Sequence, residues 1–224
     1  MIYILDTANL SDIAHCNEFY PLAGVTTNPT IISKEKTDFW PLLENIRKII
    51  GPEKMLHVQT TAEKAEDIVA EAKLLKERLG GNFYAKIPVG EEGLKATMML
   101  KKIGIPVTVT AIFTPAQALL AAMAGASFVA PYANRLDNIL GDGCAVVAET
   151  VELFKTYGSD CKVLAASFKN AEQVHKCEMA GCHSVTVSAD ILKTLLTHPM
   201  TDSAIQGFKK DWKRVYGDKT IRDF

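Results

Sequence analysis

The 224-residue sequence has no excess of either charge, with 25 Lys and Arg against 26 Asp and Glu. A nucleic-acid-binding surface usually carries a basic surplus to neutralise phosphates, so that class is set aside. Cysteine is scarce and odd in number, five in all, and no two are spaced C-x-x-C. Such thiols are expected to be free, in a reducing compartment. No polar low-complexity tract occurs and 48% of the residues are hydrophobic, which excludes disorder. His15, His57, His175, His183 and His198 contain no H-E-x-x-H pair, so no metal site is expected. A G-x-S-x-G elbow for a serine nucleophile is also missing. The N-terminus MIYILD has no basic region, and Asp6 interrupts its apolar run. No signal peptide is expected, and the predicted location is cytoplasmic.

The longest uncharged stretch is residues 103–134. A membrane span needs roughly 20 apolar residues. Here Pro106, Pro115, Gly125 and Pro131 break the run and threonines dilute it, so a buried strand, a helix and a second buried strand explain it better. That alternation continues along the chain. Strands are expected at residues 2–6, 22–26, 54–59, 82–88, 105–110, 127–132, 162–167 and 183–187. A helix follows each one. The clearest is predicted after Thr60 and Glu63, read as a capping box, with Ala65, Ile68, Val69, Ala72, Leu75 and Leu79 as its apolar stripe and Gly80 as its stop. A last helix is predicted over residues 202–216.

Eight strand–helix units in 224 residues leave about 28 residues each, the size of one repeat in a (βα)8 barrel. A doubly wound open sheet is the alternative. Its glycine-rich turn after the first strand is absent, since that turn reads DTANL. The predicted architecture is therefore one (βα)8 TIM barrel domain over residues 1–224, with an additional C-terminal helix.

Active sites of such barrels lie at the C-terminal strand ends. The residues expected there are Asp6, Thr26 with Asn28, Gln59, Lys86, Thr110, Tyr132 with Arg135, Ser167 and Ser188. Strand ends meet water, and polarity alone means little. Lys86 is different, because it sits inside the apolar strand NFYAKIPV. Burying an ammonium is costly unless it is paired or loses its proton. Desolvation favours the free amine of a lysine, and the free amine attacks carbonyls. A structural pairing of Lys86 with Asp6 stands as the alternative. Arg135, Ser167 and Lys169 follow strands six and seven, where many barrels hold a phosphate. The run GDGC at residues 141–144 is expected to cap the next helix.

The segments LAGVTTNPTII (residues 22–32), AKIPV around Lys86, VAPYANRLD around Tyr132 and VLAASFKN around Ser167 together resemble the transaldolase signature. The resemblance covers the whole chain in one register. It points to the small transaldolase family, the group that includes bacterial fructose-6-phosphate aldolase. It implies a Schiff-base lysine at Lys86 and a neighbouring carboxylate at Asp6. It also implies dihydroxyacetone contacts from Thr26 and Asn28, and phosphate contacts from Arg135, Ser167 and Lys169. No cofactor is implied; the partners are sugar phosphates and dihydroxyacetone.

Three positions separate the subgroups. Transaldolases proper carry Glu, Ser and Phe where this sequence has Gln59, Ala130 and Tyr132, and at all three it follows the aldolase pattern. Tyr132, through a water held by Gln59 and Thr110, is then the expected proton carrier. Thr108 departs from that pattern, since the aldolases are apolar there and transaldolases carry Asn. Phe208, Trp212 and Val215 lie at helical spacing near the C-terminus. Either they pack on their own barrel or, as the resemblance implies, the terminal helix reaches a neighbouring subunit in a decamer of two pentameric rings.

Overall fold

The computed structural model describes all 224 residues. They form two compact units, Met1–Ile191 and Leu192–Phe224. The first is a closed barrel of eight parallel strands in sequence order. The strands are β1 (Ile2–Asp6), β2 (Gly24–Thr26), β3 (Met55–Gln59), β4 (Phe83–Pro88), β5 (Val107–Ile112), β6 (Phe128–Pro131), β7 (Lys162–Ala165) and β8 (Ser184–Val187). Between them run α1 (Leu10–Phe19), α2 (Pro29–Lys34), α3 (Phe39–Ile50), α4 (Ala65–Leu79), α5 (Glu91–Lys102), α6 (Pro115–Ala124), α7 (Ala133–Asp137), α8 (Gly143–Thr156) and α9 (Ala171–Met179). β1 pairs with both β2 and β8, which closes the cylinder and leaves no free edge.

Strand side chains alternate between the lumen and the helical layer. Leu5, Val25, Leu56, Val58, Ile87, Val109, Val163 and Val185, all fully or almost fully buried, face the helices. The helices answer with Ile13, Leu43, Ile46, Leu100, Val147 and Phe154. Each such side chain contributes about 1.5–3 kcal/mol by leaving water, which makes this annulus the main stabilising core. Inside the lumen, Ile4, Met55, Phe128 and Leu164 form an apolar plug. Gly24 opens the wall beside it, because a Cβ there would lie 2.1 Å from the Met55 carbonyl oxygen. The ladder between β5 and β6 slips at Ala111, which has φ +59° and separates the paired residues Thr110 and Ile112.

Residues 103–134 form β5, α6 and β6, as the broken apolar run predicts, and no helix is long and apolar enough to cross a membrane. All five cysteines are free. Several local expectations need correction. The Thr60–Glu63 capping box does not form. The Thr60 N–H extends the sheet ladder to the Lys86 carbonyl at 3.0 Å, and its hydroxyl points to the same oxygen. α4 starts later, at Ala65, and Glu92 of α5 accepts the Ala65 N–H at 2.8 Å. The short helices α2 and α7 lie in segments given no element from the sequence, and β7 stops before Ser167. His183 sits just before β8, where its Nδ1 accepts the Val163 N–H. The expected GDGC cap is present, with Asp142 accepting the Ala145 N–H at 2.8 Å.

The barrel ends in α10 (Ala189–Leu196), which crosses the boundary between the two units. The second unit continues with α11 (Pro199–Tyr216) and a 3-10 turn at Ile221–Asp223. α11 starts at Pro199 rather than residue 202, because His198 caps it and proline at the first position suits a helix start. No residue of α11 is buried.

Candidate active site

Lys86 comes from the middle of β4 and is 3% exposed. Its register partners are Gln59 on β3 and Thr108 on β5. All three therefore face the lumen at neighbouring heights. The Lys86 Nζ donates to the Thr27 carbonyl at 3.1 Å. The ion pair with Asp6 considered from the sequence does not form: all six ion pairs lie between exposed side chains, and Lys86 is in none.

Asp6 is occupied elsewhere. It accepts the Thr26 hydroxyl at 2.6 Å, and the Thr186 hydroxyl lies 2.6 Å from that of Thr26. Since a carboxylate only accepts and Thr26 has one hydroxyl proton, Thr186 donates to Thr26. The result is a chain from β8 through β2 to β1. Asn28 caps α2 by accepting the Ile31 N–H at 3.0 Å. That fixes the turn after β2 and with it the Thr27 carbonyl facing Lys86.

From β5, the neighbour of the Lys86 strand, Thr110 donates to the Tyr132 hydroxyl at 3.1 Å. Tyr132 packs with Ala130 and Ala166, and Phe113 meets its ring edge-on at 5.6 Å. The Arg135 guanidinium stacks over the Tyr132 ring at 4.8 Å, with an exposed side chain. Ser167 follows β7 with φ +63°, a left-handed conformation that a non-glycine residue adopts only when its surroundings impose it. Its carbonyl accepts the Asn134 N–H at 3.0 Å, joining the Arg135 and Ser167 loops. Lys169 is exposed on the same loop. Gln59 also borders a cleft of about 740 Å³ with Pro88, Gly90 and Glu92. Ser188 is turned to another use, accepting the Ile191 N–H at the start of α10.

His57 is a packed, hydrogen-bonded strand histidine, as its sequence position suggests, but its partners were missed. It is fully buried, stacked on Tyr84 at 4.5 Å, and its Nδ1 lies 2.8 Å from the Thr108 hydroxyl. Burial, with a smaller contribution from the Lys86 charge, lowers its pKa to about 3, so the imidazole is neutral at neutral pH. Thr108, the position that departs from the aldolase pattern, spends its hydroxyl on this histidine. Thr186 was also missed, though its place between Val185 and Val187 marks it as a lumen residue by alternation. No group of three or more His, Cys, Asp or Glu side chains converges to hold a metal.

Solved structures share the barrel at low identity. A mandelate oxidase variant with an FMN monooxide adduct matches with a TM-score of 0.59, 12% identity and 84% of this chain covered. A native KDPGal structure matches with a TM-score of 0.57, 16% identity and 84% covered, over 82% of its own length. A flavocytochrome b2 variant with pyruvate bound matches with a TM-score of 0.60 and 14% identity. The chain spans only 64% of the oxidase and 56% of the flavocytochrome chain. These likenesses establish the fold alone. The sequence carries the rest, for the family model described as transaldolase/fructose-6-phosphate aldolase matches residues 3–219, which takes in β2 to β8, most of β1 and the buried lysine. With that match running through both units of the structure, the chain belongs to the transaldolase/fructose-6-phosphate aldolase family of enzymes.

Proposed function

We propose that this enzyme is a Schiff-base aldolase that cleaves fructose 6-phosphate reversibly to dihydroxyacetone and glyceraldehyde 3-phosphate. The observation that supports the reading is a lumen lysine whose Nζ donates to a carbonyl, two strands from a tyrosine whose oxygen accepts from Thr110. Lys86 attacks the ketone carbon, and loss of water gives an iminium. The C3–C4 bond electrons flow into that iminium, leaving an enamine on Lys86 and releasing glyceraldehyde 3-phosphate. The C4 hydroxyl proton passes to Tyr132 through a water held by Gln59 and Thr110, and a proton returns to C3. Hydrolysis then frees dihydroxyacetone. Asp6, Thr26 and Asn28 bind the donor hydroxyls beside Ala130, and Arg135, Ser167 and Lys169 bind the phosphate. Gln59 favours aldol cleavage over transfer, because an amide offers no carboxylate to act as the proton carrier.

Transfer of the dihydroxyacetone unit to another aldose is the competing reading. Glyceraldehyde 3-phosphate release from fructose 6-phosphate, with and without erythrose 4-phosphate, separates the two. Release without the acceptor supports the aldolase; release only with it makes the enzyme a transaldolase. We further propose a cytoplasmic homo-decamer of two pentameric rings. Free thiols support the compartment, and the exposed Phe208, Trp212 and Val215 on α11 support the assembly. A monomer in light scattering would overturn it.

A further inference from the structure

Gln173, on α9, is 7% exposed, and its carboxamide reaches two separate segments, α7 and the loop after β7. Its Oε1 accepts the Lys169 N–H at 2.8 Å. Its Nε2 donates to Asn134 Oδ1 at 3.2 Å and to Asp137 Oδ2 at 2.6 Å. Both amide protons are thereby used. Asn134 and Asp137 flank Arg135 on α7, and Lys169 lies two residues beyond Ser167. The other Asp137 oxygen accepts the Gly143 N–H at 2.9 Å, which ties in the start of α8. That approach needs glycine, since a Cβ on Gly143 would lie 2.1 Å from the Ala133 carbonyl oxygen.

We propose that Gln173 is a positioning residue for substrate phosphate, locking the Arg135 helix to the Ser167–Lys169 loop so that their cationic groups converge. The exposed Arg135 side chain has only the Tyr132 ring beneath it. Its aim therefore depends on how firmly the short α7 is held. A five-residue helix has almost no stability of its own. Gln173 grips α7 at both ends and the phosphate loop at one. Its amide, a donor on one side and an acceptor on the other, matches these partners; neither Glu nor Met does. This inference rests on the sugar-phosphate reading above, but it concerns binding of the phosphate and not the covalent step.

The test compares wild type, Gln173→Met, Gln173→Glu and the double variant Gln173→Glu with Asp137→Asn. Titration with inorganic phosphate by calorimetry needs no turnover. The two single variants should bind phosphate about tenfold more weakly. The double variant should recover most of that loss, because the new Asn donates to the new Glu while the Lys169 N–H keeps its acceptor. KM for fructose 6-phosphate should rise about tenfold more than KM for unphosphorylated fructose in the Met variant. Borohydride trapping of dihydroxyacetone on Lys86 in wild type reads the Schiff-base proposal separately. Unchanged phosphate affinity in Gln173→Glu, or no recovery in the double variant, overturns the inference even when trapping succeeds. Should Gln173→Met fail to fold, the Glu variant and its rescue decide alone.

Discussion

His57 Nδ1 and Thr108 Oγ1 meet at 2.8 Å inside the barrel, on strands either side of the one that carries Lys86. The pair is a polar bridge passing across β4 within the lumen. His57 Nε2 is buried without a partner, so Thr108 gives the imidazole its one hydrogen bond. The ring is consequently committed to its neutral form, and this gives the fold a defined acid limit.

The folded pKa of His57 is about 3 against an ordinary value of 6.5. An unfolded chain gains this proton as pH falls below about 6.5, while the folded one resists it. Full stability is present above that value and is lost progressively toward pH 3. The slope is about 1.4 kcal/mol per pH unit within the window. Melting temperatures between pH 7 and pH 5, above most carboxylate titrations, check this. The paired change His57→Phe and Thr108→Val should flatten the profile. An unchanged slope would assign the acid sensitivity to other groups.

Lys86→Met keeps the apolar stem and removes the nitrogen. Cleavage should fall to background and the borohydride adduct should disappear, with the circular dichroism spectrum retained. Measurable turnover in this variant would exclude Lys86 as the nucleophile.

Tyr132→Phe retains the ring packed against Phe113 and beneath Arg135 but deletes the oxygen that accepts from Thr110. Cleavage should drop by about 10²–10⁴, the range for losing a positioned proton-transfer group. Iminium trapping on Lys86 should persist. A rate within twofold of wild type, about 0.4 kcal/mol in barrier, would remove Tyr132 from the proton path.

Gly143→Ala should strain the contact between α8 and α7, since the new carbon would overlap the Ala133 carbonyl oxygen. Overpacking of this kind costs about 1–3 kcal/mol. Differential scanning calorimetry should show a lower melting temperature, together with weaker phosphate binding. A variant equal to wild type in both would mean that α7 shifts freely.

The alternation of short apolar strands with longer helices made the barrel legible, and Lys86 stood out because its strand is otherwise apolar. What escaped the sequence were pairings between distant segments. Thr60 and Glu63 have capping-box spacing, yet the helix start is satisfied by Glu92 from the next helix. Local pattern cannot register that competition. α2 and α7 are too short to show a period, at six and five residues. His57 and Thr108 lie 51 positions apart, and only closure of the sheet brings them together. The carboxylate matched to Lys86 by resemblance, Asp6, is instead held by Thr26. That arrangement depends on which lumen residues share a level.

The slip at Ala111 reaches further than its one residue. Strict alternation would turn Ile112 inward above Thr110, capping the mouth with a branched aliphatic group. The extra residue inverts the phase of the strand end. Ile112 is instead fully buried, and Phe113 meets the Tyr132 ring. The lining on this side of the barrel mouth is thus written in chain length as well as in side-chain identity. Deleting Ala111 would exchange the residues that line this side of the entrance in one step, a change that no point substitution reproduces.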